Sequence, residues 1–238
     1  MSIAASTKPL LAVPANIITD ALGGDHFLHP DFAHYADDAV IQNLSATNKH
    51  YRDGFANIIS AVGVVDPTVT ESKRFLDLAK RADTWLAASA ERGTSATTMA
   101  KNELTRINAE IETTLRIVDG KYDVEVRSHY KSLKPNERIA NAMAAVKANK
   151  TETLAAILVG PAELSGLNDE QQQLIRSEHE RVNASKLVGR RKAYEKAMAI
   201  NARAFDEAMI QTSKIFPKSV VAEITARTNE ARAAKDAI

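Results

Sequence analysis

Hydrophobic residues recur at intervals of three and four along most of this chain, which is the period of an amphipathic α-helix. The longest stretch of this kind covers residues 168–216, where Gly189 is the only glycine and Pro217 ends the pattern. Read as one continuous helix, it would extend over roughly 70 Å. We therefore expect the rest of the chain to be organised around this stretch.

The apolar spacing within residues 168–216 changes phase near the middle of the stretch. The first stripe ends at Val182, and the second begins at Leu187, five residues later. Asn183, Ser185 and Gly189 lie at this point, and all three disfavour a helix interior. The pattern predicts a kink or break between Asn183 and Gly189, followed by a longer helix of about 45 Å.

Glycine, proline and charged residues divide the chain into four predicted segments. In chain order these are an extended N-terminal arm (1–29), a helical bundle (30–119), a module of short helices (120–182), and a long C-terminal helix followed by a terminal helix (183–238). The predicted fold class is all-α, an elongated helical bundle with a long C-terminal helix and no β-sheet.

The bundle over residues 30–119 is predicted to contain three antiparallel helices. Its first part forms one long helix or two, with residues 45–48 and Gly54 as the weak places. Arg92 and Gly93 are predicted to end the second helix, because glycine is common just after a helix. In the arm, we expect at most one turn, over residues 15–22.

One short segment, residues 122–126, alternates polar and apolar residues as a β-strand does. The same residues also fit one face of a helix, and no second strand exists to pair with it. We therefore interpret it as a helix. Helices are also predicted to begin at Pro135, Thr151 and Asn168.

The composition limits the chemistry that the chain can perform. The sequence has no cysteine, which excludes disulfides, thiolate nucleophiles and Cys-ligated metal sites. The 31 basic and 30 acidic side chains nearly cancel, which argues against a surface built mainly to neutralise phosphates. Aromatic residues are only 5% of the chain, so we expect a thin core of closely packed helices.

The richest cluster of potential metal ligands contains His26, His29 and His34, with several aspartates between and after them. Imidazole and carboxylate together suit zinc, iron or manganese. The competing interpretation is that the aspartates serve helix ends and face solvent. No second ligand cluster completes a site, so we predict neither a metal nor any other cofactor.

Two further motifs resemble catalytic signatures. The sequence His179-Glu180 begins like the metalloprotease His-Glu-x-x-His, but Asn183 stands where the second histidine is needed. Ser128 and Lys131 have the Ser-x-x-Lys spacing of some acyl enzymes, at a frequency that chance explains. We expect the protein not to be an enzyme.

The long stretch also carries two candidate binding surfaces. Five basic residues could contact phosphates, although a solvated helix face explains them better: Lys186, Arg190, Arg191, Lys192 and Lys196. An apolar stripe could belong to the core of the same chain or to an intermolecular interface: Leu187, Tyr194, Met198, Phe205, Met209 and Phe216. Arg191 and Asn201 interrupt this stripe, so we expect both uses in part.

Residues 125–182 resemble a segment of small helical proteins encoded by bacteriophages and prophages. The shared order is a helix with Arg127, the start Pro135-x-x-Arg138, a short Ala-rich helix, and a Gln-rich helix. Its most specific part is the connection Pro161-Ala-Glu-Leu-Ser-Gly-Leu167. The resemblance covers about a quarter of the chain and implies a virion component or an accessory phage protein.

From these features together we expect a non-enzymatic structural or assembly protein that acts in several copies. The expected partners are other copies of the chain or other virion proteins, in the virion or the host cytoplasm. A nucleic-acid-binding adaptor or regulator that uses the basic residues between 186 and 196 is the alternative. We expect no membrane-spanning segment, because no window approaches about 18 uninterrupted apolar residues.

Overall fold

The structure is a computed structural model that describes residues 10–14, 16–118 and 120–236. Over these residues every regular element is helical and none is a strand, which confirms the all-α prediction. Two short 3-10 turns cover His26–Leu28 and Ala162–Ser165. The α-helices are α1 (Asp20–Gly23), α2 (Pro30–Ala33), α3 (Ala39–Gly63), α4 (Glu71–Leu115), α5 (Asp123–Ser132), α6 (Pro135–Lys147), α7 (Thr151–Leu158), α8 (Asp169–Asn183), α9 (Ser185–Ile215) and α10 (Lys218–Asp236).

The chain divides into two compact units. The first contains residues 1–100 and 195–238, and the second contains residues 101–194. The boundaries fall inside α4 and α9, so they differ from the four segments read from the sequence. Sequence breakers mark where helices end, whereas compact units are decided by which helices pack together.

The core of the first unit is formed where α3, α4, α9 and α10 contact one another. The rings of Tyr51 and Phe205 lie 5.5 Å apart between centroids, as do the rings of Phe75 and Phe216. Ile224 of α10 belongs to the same buried cluster. Aromatic pairs at this spacing hold the helices together through their buried area and their edge-to-face geometry.

The helix α4 runs without interruption through Gly93, so the prediction that a helix ends there was wrong. Glycine at this position serves packing: a Cβ atom on Gly93 would lie 2.2 Å from the Tyr51 hydroxyl oxygen. Gly54 has the same role on α3, because a Cβ there would lie 2.0 Å from Nε1 of Trp85. Both glycines let α3 and α4 approach closely around a large ring.

The predicted weak places in the first part of the bundle were also wrong, because α3 continues through residues 45–48 and Gly54. The chain breaks earlier, between α2 and α3, over residues 34–38. Asp38 ends this break, since its carboxylate accepts hydrogen bonds from the backbone N–H groups of Val40 and Ile41. A capping carboxylate determines the start of a helix more strongly than small residues inside it weaken it.

The second unit buries a cluster formed by α5 to α8, with Val146, Leu154, Ile157 and Ile175 fully enclosed. Arg138 joins its parts by donating hydrogen bonds to the carbonyl oxygens of Tyr130, Lys131 and Gly166. The carbonyl groups at the C-terminal end of a helix have no partner within their own helix. Arg138 therefore stabilises two chain turns at once.

Most of the helices predicted for residues 120–238 are confirmed. Residues 122–126 start a helix, Asn168 and Gln171 form a capping box, and residues 218–236 form the terminal helix. The predicted break is confirmed as well, because α8 ends at Asn183 and α9 begins at Ser185. Gly189 lies inside α9 and therefore does not contribute to the break, which is confined to Ala184 between the two helices.

The arm is partly described. Its described residues include the short helix α1, and the backbone N–H groups of Leu10 and Leu11 donate to the carboxylate of Glu71. The predicted turn over residues 15–22 corresponds in part to α1, while Ala15 at its start and the predicted stop at Asp119 lie outside the described ranges.

We predict that Gly93→Ala destabilises the protein by about 1–3 kcal/mol, because the new methyl group collides with the Tyr51 hydroxyl. In a Tyr51→Phe background the nearest atom would be the ring carbon Cζ, 3.5 Å from the new Cβ. There the same change should be neutral or stabilising by up to about 1 kcal/mol, since alanine favours helix. Urea unfolding followed by circular dichroism measures both values. Gly63→Ala, where nothing lies within 4 Å of the new Cβ, is the matched control.

Candidate functional site

The basic residues of the first part of α9 make ion pairs within the chain. The guanidinium of Arg190 lies 3.2 Å from the carboxylate of Glu103 and stacks over the Tyr194 ring. Arg191 pairs with Glu180 of α8. An arginine that already binds a carboxylate has less to offer a phosphate, because it must first exchange one anion for another.

The three lysines of this group differ in their surroundings. Lys196 binds the carboxylate of Asp31, and its ammonium lies over the Phe32 ring. The hydrogen bond from Lys196 is the main cause that lowers the pKa of Asp31. Lys186 and Lys192 are exposed. The structure therefore leaves a smaller cationic surface than the sequence suggested.

A buried carboxylate lies at the centre of the ion pairs in the second unit. Glu180 is only 8% exposed, and it contacts both Arg176 and Arg191. Arg176 also binds Glu112 of α4, so α4, α8 and α9 are joined through one connected group of charges. The sequence analysis considered Glu180 only within the metalloprotease-like motif and missed its ion pairs, for which the i, i+4 spacing of Arg176 and Glu180 was the available signal.

The apolar stripe predicted on α9 is divided between core and surface. Tyr194 and Phe216 are buried, and Phe205 packs against the core of the first unit. Leu187 and Met198 are partly buried, whereas Met209 is 47% exposed. Whether these side chains form an intermolecular interface stays a prediction.

The face of α9 with the most deeply buried residues is rotated from the predicted stripe and consists mainly of alanine. Ala197, Ala204 and Ala208 have no exposed surface, and Asn201 between them donates a hydrogen bond to the carbonyl of Leu44 on α3. Small side chains allow two helices to approach closely enough for a side-chain amide to reach the opposite backbone. The stripe predicted from the large residues therefore lies about one residue further along α9 than its most buried face.

The histidine and aspartate cluster is used at helix ends. The His26 ring lies 2.9 Å from the carbonyl oxygen of Asp20, and His29 accepts a hydrogen bond from the backbone N–H of Asp31. His34 follows the last residue of α2, and its side chain faces solvent. Among the described residues, no group of three potential ligands converges on one point.

The residues of the failed metalloprotease motif meet inside the second unit. His179 is fully buried, and its Nδ1 atom lies 2.9 Å from the side-chain nitrogen of Asn183. Burial is the main cause that lowers the pKa of His179, while the backbone of Leu115 and the charge of Glu180 act in the opposite direction. Asn183, four residues after His179, takes the place of a second metal ligand and forms a hydrogen bond with the His179 ring. Ser128 and Lys131 are both exposed on α5.

A surface cleft of about 340 Å³ lies beside the end of α4 and the start of α7. It brings Arg116 and Lys121 together with Glu152 and the partly exposed Tyr122. Cations and carboxylates are mixed along its walls, so the described residues do not favour a ligand of one charge.

The chain matches no family model, no curated protein and no solved structure in these comparisons. The resemblance of residues 125–182 to phage proteins therefore stays a prediction. In the described part of the chain, no helix combines the length and apolar character needed to cross a membrane.

We predict that Arg191→Ala destabilises the protein by about 1–3 kcal/mol, because it leaves the buried Glu180 carboxylate with one partner fewer. The neighbouring change Lys192→Ala removes an exposed charge and should stay within about 0.5 kcal/mol of wild type. Urea unfolding of both variants at neutral pH makes the comparison. Equal losses in the two variants would show that the Glu180 pair contributes nothing beyond a surface charge.

Proposed function

We propose that this protein is a non-enzymatic structural or assembly protein that acts in several copies, as a component of a bacteriophage particle or during its assembly in the host cytoplasm. The observation that carries this proposal is the terminal helix α10. The partners of the protein would be further copies of the chain or other virion proteins.

The helix α10 extends well beyond the core that holds its beginning. Ile224 is its one buried residue, and from Thr225 to Asp236 every side chain except the partly buried Thr228 is exposed. A helical segment as short as residues 225–236 is only marginally stable in water without tertiary contacts. A helical half that contacts so little of its own chain is well suited to pack against another molecule.

Neighbouring apolar side chains are also exposed within each unit. In the first unit Val64 and Val65, between α3 and α4, are 65% and 75% exposed. In the second unit Tyr122 and Val124 are 59% and 72% exposed. Adjacent exposed apolar residues favour contact with a protein partner, because association removes their surface from water.

The side chains that the sequence offered for chemistry support the same proposal through their partners. His26 and His29 contact backbone groups near α1 and α2, while His179 contacts Asn183. A catalytic group must reach its substrate, usually within a cleft. These histidines instead serve the ends of helices.

The alternative, a nucleic-acid-binding adaptor, would depend mainly on Lys186 and Lys192, since Arg190, Arg191 and Lys196 have carboxylate partners. Anisotropy of a labelled DNA duplex at low and moderate salt tests it. Binding that weakens steeply with salt would favour the adaptor, because phosphate contacts release counterions.

We predict that the full chain forms oligomers, and that a chain ending at Thr228 loses them while keeping its fold. Residues 229–236, the described part of the removed segment, are all exposed, so the unfolding free energy should change by less than about 1 kcal/mol. Light scattering over about a hundredfold range of concentration measures the mass, since association depends on concentration.

Ile224→Ala is the control for this truncation, because it removes a buried side chain that holds α10 to the first unit. It should destabilise the protein by about 2–4 kcal/mol. A full-length chain that is monomeric at all concentrations, and absent from particle fractions of infected cells, would refute the assembly proposal.

A further inference from the structure

The first unit holds an N-terminal segment, residues 10–14 and 16–33, against its longer helices. Four side chains of this N-terminal segment are buried there: Ile17, Ala21, Leu22 and Phe32. Ile17 and Leu22 belong to the same buried cluster as side chains of α3, α4 and α9. The N-terminal segment therefore covers part of the apolar core of its own unit.

The charges of the N-terminal segment and of the surface beneath it are complementary. Between residues 10 and 33 the sequence has three aspartates and no lysine or arginine. Each aspartate contacts a different cation of α3 or α9, in the pairs Asp20–Arg203 (3.9 Å between carboxylate oxygen and guanidinium nitrogen), Asp25–Arg52 (3.6 Å) and Asp31–Lys196. Opposite charges at three separate points fix the position and direction of the docked segment.

Backbone groups of the N-terminal segment are bound as well. The N–H groups of Leu10 and Leu11 lie 2.8 and 3.4 Å from the Glu71 carboxylate oxygen that accepts them. Arg52 donates a hydrogen bond to the carbonyl oxygen of Gly24. These partners and the three cations all lie beyond residue 38 in the sequence. A second copy of the chain therefore offers the N-terminal segment an identical set of partners.

Residues 34–38 form the linker between the N-terminal segment and α3. Three of its five residues are exposed, and the backbone N–H groups of Tyr35 and Asp38 close turns onto the carbonyl oxygens of Phe32 and Tyr35. Five residues span about 17 Å when extended. Straightening this linker would lead the N-terminal segment away from α3, while the Asp38 carboxylate could still cap that helix.

We propose that copies of the chain exchange their N-terminal segments, so that the segment of one copy docks on the first unit of a second copy. This inference rests on the proposed function, because α10 must first bring the copies together. In a dilute chain the segment returns to its own unit, where its effective concentration exceeds that of any second copy. Beside a neighbour both surfaces are within reach, and exchange re-forms the same contacts while linking the two copies.

Cross-linking between two single-cysteine variants tests the exchange, since the chain contains no cysteine of its own. Asp31→Cys and Lys196→Cys each replace an exposed residue, and the two original side chains form an ion pair. The two variants are produced together in one cell and treated with a bismaleimide that is long enough to bridge this pair. We expect a covalent dimer on a denaturing gel, because the N-terminal segment of one variant docks on the other.

Lys80→Cys is the matched control for Lys196→Cys, because Lys80 is an exposed lysine of the same unit on α4. Asp31→Cys produced together with Lys80→Cys should give far less covalent dimer, and so should each variant alone. Equal cross-linking at the two lysine positions would show that the cysteines meet by chance contact, and the exchange would be refuted.

Light scattering of the same samples separates failure of the exchange from failure of the assembly proposal. Oligomers without the cross-link between positions 31 and 196 would overturn the exchange and leave the assembly proposal standing. A chain that is monomeric at all concentrations would overturn both. When both variants end at Thr228, we expect neither oligomers nor cross-linked dimers, and dimers that persist would contradict the dependence on α10.

Discussion

The first unit depends on the close approach of helices that carry small residues where they cross. Gly54 faces the Trp85 ring and Gly93 faces the Tyr51 hydroxyl, while Ala204 and Ala208 on α9 have no exposed surface. The Trp85 and Tyr51 side chains fill the space beside these glycines, so the facing helix has no room for a side chain at those two positions. This constraint explains why glycine occurs inside two long helices.

The second unit solves a different problem, which is the number of helix ends that its short helices place near a core. Each C-terminal helix end leaves backbone carbonyl groups without partners in the helix. Arg138 and Arg127 donate to such carbonyls, and Gln172 binds those of Ile157 and Gly160. In the second unit, long polar side chains hold helix ends together through hydrogen bonds, whereas in the first unit glycine and alanine let helices pack closely.

Three of the histidines considered for chemistry have contacts near helix ends: His26, His29 and His179. The contacts of the candidate residues depend on partners far away in the chain. Lys196 binds Asp31, 165 residues away, and Asn201 reaches Leu44 across 157 residues. Most of α10 beyond Ile224 remains exposed, as do Val64, Val65, Tyr122 and Val124.

The sequence by itself determined the helical class, the caps at Asp38 and Asn168, and the break beside Ala184, because these follow from local backbone chemistry. All of these except the cap at Asp38 were predicted from the sequence. Tertiary structure alone decided that α4 passes through Gly93 and that alanine forms the most buried face of α9. A glycine can end a helix or admit a neighbouring ring, and only the presence of that ring distinguishes the two.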